Sequence, residues 1–189
     1  MLLNIFQLLL LTLCFSSCGN QSSFENQENS STTKITEIEK DSAEKVAVLS
    51  PKSSINTKNT TPEELVYFAK TLVGIPYLYG SANPNKGFDC SGFITYVFNH
   101  FQISVPRSSK DFENVSPTIP VAECKPGDLI LFTGTDSTKR EIGHMGIITE
   151  HINDIQFIHS TSGKAYSVTI TPLNKYYLGR FVKIIRPFN

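Results

Sequence analysis

A single α+β domain over residues 61–189, with helices ahead of an antiparallel sheet, is the fold class this sequence predicts. Three observations predict it. Helical periodicity is confined to the stretch between Pro62 and Asn114. Short β-type runs separated by turn residues fill the chain beyond Asn114. Residues 19–60 are dominated by Ser, Thr, Asn, Gln, Glu and Lys, with apolar positions too sparse to offset the entropy of ordering.

The first helix starts at Thr61-Pro62-Glu63-Glu64, with Thr61 as cap, Pro62 at the first helical position and acids in the first turn. Leu65, Phe68, Ala69 and Leu72 recur at helical spacing, and Gly74 ends the run. A polar loop, Ser81 to Gly87, leads to Cys90. From Ser91 a second helix is expected, burying Phe93, Ile94, Val97, Phe98 and Phe101. A short helical stretch is expected around Lys110 to Asn114. Pro126-Gly127-Asp128 is a turn ahead of the strand Leu129-Ile130-Leu131-Phe132. Further strands are expected at His144–Thr149, at Ile155–His159 after the Asn153-Asp154 turn, at Val168–Ile170 and at Phe181–Ile185.

The N-terminus reads as an export signal. Met1 to Leu13 is almost wholly apolar, too short to span a bilayer, and is followed by small residues. Ser16-Ser17 before Cys18 is similar to a lipobox, which makes residues 1–18 a lipoprotein signal peptide with Cys18 as the lipidated residue. A plain cleaved signal or an anchor helix is the alternative. Residues 19–60 would then form a tether whose r.m.s. span is on the order of 35 Å. The expected location is the cell envelope, with the protein exported, membrane-anchored and monomeric, and facing the periplasm where an outer membrane exists.

Composition excludes several functions. Lys+Arg and Asp+Glu are each 17, so no basic face argues for nucleic acid. The cysteines (Cys14, Cys18, Cys90, Cys124) fit no zinc spacing, and His100, His144, His151 and His159 lack a zinc-protease arrangement, so neither a metal nor another cofactor is expected.

The chemistry gathers around Cys90. A thiol where a loop becomes a helix meets exposed N–H groups and the positive end of the helix dipole, which favour thiolate and could hold an oxyanion. A Cys90–Cys124 disulfide is the bland alternative. His144, in Gly143-His144-Met145-Gly146, offers a base flanked by small residues. His159, across one hairpin, is placed to orient that imidazole, since paired side chains on neighbouring strands stand about 5 Å apart.

Asp89-Cys90-Ser91-Gly92-Phe93, Gly143-His144-Met145-Gly146-Ile147 and Ile158-His159-Ser160-Thr161-Ser162 together resemble the three active-site motifs of the NlpC/p60-type cell-wall cysteine peptidases. The resemblance runs on through Pro106-Arg107-Ser108-Ser109 and Pro126 to Phe132, covering about Pro62 to Pro187. It implies a papain-like fold, with Cys90 as nucleophile, His144 as base and acid, and His159 as third member. It also implies that Tyr77 lies near the nucleophile and that Asp89 and Ser91 line the substrate groove. The implied substrates are peptidoglycan stem peptides, cut between D-glutamate and a diamino acid or at the D-alanyl-diaminopimelate cross-link. Acyl transfer to an amine is the competing outcome of the same thioester.

Outside that set, Cys124 reads as a small half-buried thiol, His100 as a capping or surface residue and His151 as turn-adjacent. Arg107 is expected to make a local ion pair, and Tyr176-Tyr177 belongs to a packing segment.

Overall fold

In the computed structural model the described residues are 55–189. The expected signal segment, the Cys18 lipidation site and residues 19–54 of the expected tether lie outside them. Ile55 precedes the boundary expected at Thr61, yet it is buried in the core. Among the described residues no helix is long and apolar enough to cross a membrane.

Helix α1 spans Pro62–Thr71 and opens with a full capping box: the Thr61 hydroxyl accepts from the Glu64 N–H, and the Glu64 carboxylate accepts from the Thr61 N–H. Ten residues are too few to hold a helix in water, so its stability comes from packing Leu65, Val66 and Ala69 into the core. Strands β1 (Ala82–Asn83) and β2 (Gly87–Phe88) form a small hairpin within the expected loop. Helix α2 spans Cys90–His100 and buries Phe93, Ile94, Val97 and Phe98. The helical stretch expected at Lys110 is a 3-10 turn, Ser109–Phe112.

The remainder is the sheet. Strands β3 (Thr118–Ile119), β4 (Leu129–Thr133), β5 (Ile142–His151), β6 (Ile155–Ser160), β7 (Val168–Pro172) and β8 (Phe181–Ile185) lie in the order β3-β8-β4-β5-β6-β7. Every neighbouring pair is antiparallel. A six-residue helix absent from the sequence expectation, α3 (Lys175–Arg180), joins β7 to β8 and is capped by Asn174.

Strand β4 explains its own unbroken apolar run. Leu129 and Leu131 pack with α1 and α2, whereas Ile130 and Phe132 join Phe157, Ile184 and Tyr177 of α3 on the opposite face. A strand covered on both faces shows no polar alternation. His144 pairs with Phe132, and His159 stands two residues beyond Phe157, so both imidazoles belong to the α3 face. The thiol arrives on a helix packed against the other face.

Candidate active site

Cys90 is the first residue of α2 and Asp89 is its cap, its carboxylate accepting from the Gly92 N–H. A Cβ on Gly92 would lie 2.1 Å from the Ser81 carbonyl oxygen, so glycine lets the loop close over the first turn. Asp89 also takes two hydrogen bonds from Arg107, at 3.0 and 2.8 Å, and Arg107 donates to the Ser91 hydroxyl at 3.0 Å. This ion pair spans 18 residues of sequence and is therefore not the local one expected. Asp89 and Ser91, expected to line the groove, are buried against Arg107. Neither is among the residues that wall the cavity containing Cys90.

The Cys90 sulfur lies 3.9 Å from the Gly143 carbonyl oxygen, at the start of β5, so the thiol meets the residue next to His144. Cys90 and Cys124 are both free, and no disulfide joins them. His144 Nε2 is 2.8 Å from His159 Nδ1, and His159 Nε2 is 3.0 Å from Thr171 Oγ1 on β7. The histidines are not directly opposed as the hairpin argument supposed. Ile147 faces Ile158, a register that sets Gly146 beside His159. A Gly146 Cβ would stand 3.2 Å from the His159 Cβ, so glycine leaves room for the His159 ring to lean diagonally to His144. Their ring centroids are 5.0 Å apart.

Electrostatics corrects a second expectation. Burial, and after it the Asp89 carboxylate, pushes the Cys90 thiol above its ordinary value, although N–H groups of Ser91, Cys90 and Met145 pull it down. The cap that finishes the helix is itself an anion beside the sulfur, and it opposes the dipole. Burial also holds His144 well below its ordinary value, with His159 and Arg180 adding to the effect. His159 is depressed to about 3 by burial and by Arg180. Thiol and both imidazoles are therefore neutral in the resting site near pH 7.

An open cavity of about 1130 Å³ contains Cys90, Gly143, His144 and Tyr77 in its wall. Tyr77 packs edge-on to Tyr166 at 5.7 Å, and its phenol is pushed up by burial and then by Cys90. Thr171, Tyr176, Tyr177 and Arg180 also line the wall and were missed from sequence. Tyr176-Tyr177, expected only to pack, has Tyr177 buried and Tyr176 exposed, and a six-residue helix leaves no periodicity from which their place in the wall could be read.

The remaining candidates lie elsewhere. Cys124 is fully buried, its thiol pushed up to about 11 chiefly by burial, with its sulfur 3.3 Å from His151 Nδ1. His151, partly exposed at the end of β5 beside the turn, is also tied to the Cys124 carbonyl at 3.0 Å. His100 stacks on Phe68 with ring centroids 3.6 Å apart.

A sequence model of the NlpC/P60 family matches residues 74–186. The chain is 34% identical over 131 residues to the gamma-DL-glutamyl hydrolase of Bacillus subtilis, a match covering 69% of this chain and 31% of that one. It is 32% identical over 132 residues to the peptidoglycan endopeptidase RipB of Mycobacterium tuberculosis, covering 64% of this chain and 51% of the relative. It thus spans only a third to a half of these two curated relatives. Among solved structures, an NlpC/P60 family protein from Bacillus cereus superposes with TM-score 0.60 at 28% identity, over 71% of this chain and 42% of that one. The solved RipB structure from Mycobacterium tuberculosis superposes with TM-score 0.53 at 28% identity, over 68% and 65% of the two chains. The antiparallel sheet with its helices is the papain-like arrangement of these neighbours.

Proposed function

The chain belongs to the NlpC/P60 family, and from that premise we propose that it is a peptidoglycan endopeptidase with Cys90 as its nucleophile. The observation that carries the reading is that Cys90 and His144 share the wall of one open cavity, with the Cys90 sulfur 3.9 Å from the Gly143 carbonyl and the buried His159 joining His144 to Thr171. A relative named as a peptidoglycan endopeptidase supports a substrate among the peptide amides of peptidoglycan, and one named as a gamma-DL-glutamyl hydrolase supports cleavage after a γ-linked glutamyl group.

The atoms assign the steps. His144 Nε2 is engaged by His159, so Nδ1 is the nitrogen left to accept a proton. His144 then donates from Nε2 to His159 Nδ1, and His159 donates from Nε2 to the Thr171 hydroxyl. With thiol and imidazole both neutral, the thiolate forms as the sulfur attacks the carbonyl carbon and His144 takes the proton. Backbone N–H groups at the start of α2 face the developing oxyanion. Protonated His144 gives its proton to the departing amine. Water, deprotonated by the same imidazole, then cleaves the thioester and frees the thiol. Tyr77 is the proposed substrate contact, whereas Asp89 and Ser91 act through Arg107. Cys18 remains the proposed lipid-bearing residue, which fatty-acid labelling of wild type against Cys18→Ala tests.

The test of the activity is direct. Full-length protein incubated with purified muropeptides is expected to release smaller fragments whose masses together equal the parent plus one water for each bond cut, and Cys90→Ala is expected to release none. Muropeptides left unchanged by wild type, or cut equally by Cys90→Ala, sink the proposal.

A further inference from the structure

Arg180 stands out as a charge without a counter-ion. It is 8% exposed, and its three nitrogens are engaged by uncharged oxygens only. Nε donates to the Gly134 carbonyl at 3.0 Å, Nη2 to the Thr133 carbonyl at 2.8 Å and Nη1 to the Tyr176 hydroxyl at 2.8 Å. Those bonds use three of the five guanidinium N–H donors. Among the described residues no carboxylate forms an ion pair with it, whereas Arg107 and Arg186 each hold an aspartate. The guanidinium also lies 5.2 Å from the Tyr176 ring centre and 5.9 Å from that of Tyr177, which fixes its position. A buried charge is costly unless a partner of opposite sign compensates it, and neutral hydrogen bonds compensate it only in part.

The surroundings match. Arg180 and Lys164 are the cations in the wall of the cavity that contains Cys90, and no Asp or Glu lines it. Hydroxyls of Thr135, Thr161, Ser162 and Thr171 supply further donors. The side of the reaction is also fixed. Arg180 packs on the Tyr177 ring, whose centre stands 6.3 Å from that of His144 and 5.4 Å from that of His159, so it lies on the histidine side of the sulfur. The amine half of a substrate collects its proton from His144 and must lie on that same side.

We infer that Arg180 binds a carboxylate on the amine-side residue of the substrate, immediately after the scissile amide. The inference rests on the peptidase reading for the direction of the substrate. Its chemical class is a peptide whose amine-side residue carries a free carboxylate, as a diamino acid joined through one amine does. Two donors of the guanidinium remain for such a group, one on Nη1 and one on Nη2. The bound carboxylate supplies the missing counter-ion.

The experiment uses the full chain and two forms of L-alanyl-γ-D-glutamyl-L-lysine, one with its lysine carboxylate free and one with it amidated. Wild type is expected to prefer the free acid by roughly tenfold or more in kcat/KM, carried mainly by KM. Arg180→Gln is expected to bring the ratio close to one by weakening the acid more than the amide, while Arg180→Lys retains part of the preference. Arg180→Gln also loses the bonds to Thr133 and Gly134, so the wild-type ratio stands as a readout that needs no variant. Binding of the same pair to Cys90→Ser separates site from activity. Tighter binding of the acid with no cleavage by wild type keeps the carboxylate site and removes the peptidase reading. Equal cleavage of both forms by wild type, or a preference unchanged in Arg180→Gln, overturns the site and leaves the peptidase. Equal binding with no cleavage overturns both.

Discussion

Neutral histidines set the acid side of this site. Activity of the proposed kind needs His144 unprotonated, and burial with Arg180 nearby holds it well below 6.5. The thiol is raised above 9.0. The pH profile of kcat/KM is therefore expected to stay flat across pH 6.5 to 9.0, with its acid limb below 6.5; an acid limb at or above 6.5 contradicts this electrostatic account. Thr171 acts one step further back. Thr171→Val leaves the His159 Nε2–H without its acceptor. A buried donor left unpaired costs about 1–3 kcal/mol, so kcat/KM is expected to fall roughly tenfold to hundredfold, and Thr171→Ser is expected to restore most of it. Equal losses in Thr171→Val and Thr171→Ser would remove the hydroxyl from the account.

Helix α2 carries two conflicting demands at its first turn. Its dipole and N–H groups favour a thiolate, whereas its best cap is a carboxylate next to the sulfur. Asp89→Asn keeps a capping oxygen and removes the charge, leaving Arg107 uncompensated nearby. The rate of Cys90 alkylation by iodoacetamide is expected to titrate at lower pH in Asp89→Asn than in wild type. An unchanged midpoint would mean that Asp89 does not reach the sulfur electrostatically. The same turn is sterically tight. Gly92→Ala drives a methyl to 2.1 Å from the Ser81 carbonyl, and overpacking of that kind costs about 1–3 kcal/mol, to be measured as a lower urea midpoint. The amphipathic run of α2 was legible from Ser91 onward, whereas Asp89 was read as a groove residue and not as its cap. The link from Asp89 to Arg107 was not legible either, because nothing local ties residues 18 positions apart.

At the scale of the whole molecule, acid stability follows from the buried imidazoles. Their folded values are depressed, so below 6.5 the unfolded chain binds protons that the folded chain refuses. The stability they permit is complete above 6.5 and is lost as pH falls toward about 3, the value of His159. The loss for His159 alone is about 1.4 kcal/mol per pH unit, and His144 adds in the same direction. Urea unfolding at pH 7 and 4.5 is expected to show a shallower pH dependence in His159→Gln than in wild type; equal dependence counts against it. By itself, the sequence determined the α+β class, strands β4 to β8 and both main helices, and it singled out Cys90, His144 and His159 as the candidate set. Those features rest on local periodicity, turn chemistry and three motifs in order. Only the tertiary structure decided that the histidines lean together diagonally past Gly146, that Thr171 ends their line, and that Arg180 enters the cavity wall without a carboxylate partner. Each depends on which residues two faces of a sheet and a six-residue helix bring together, and such juxtapositions carry no local signature.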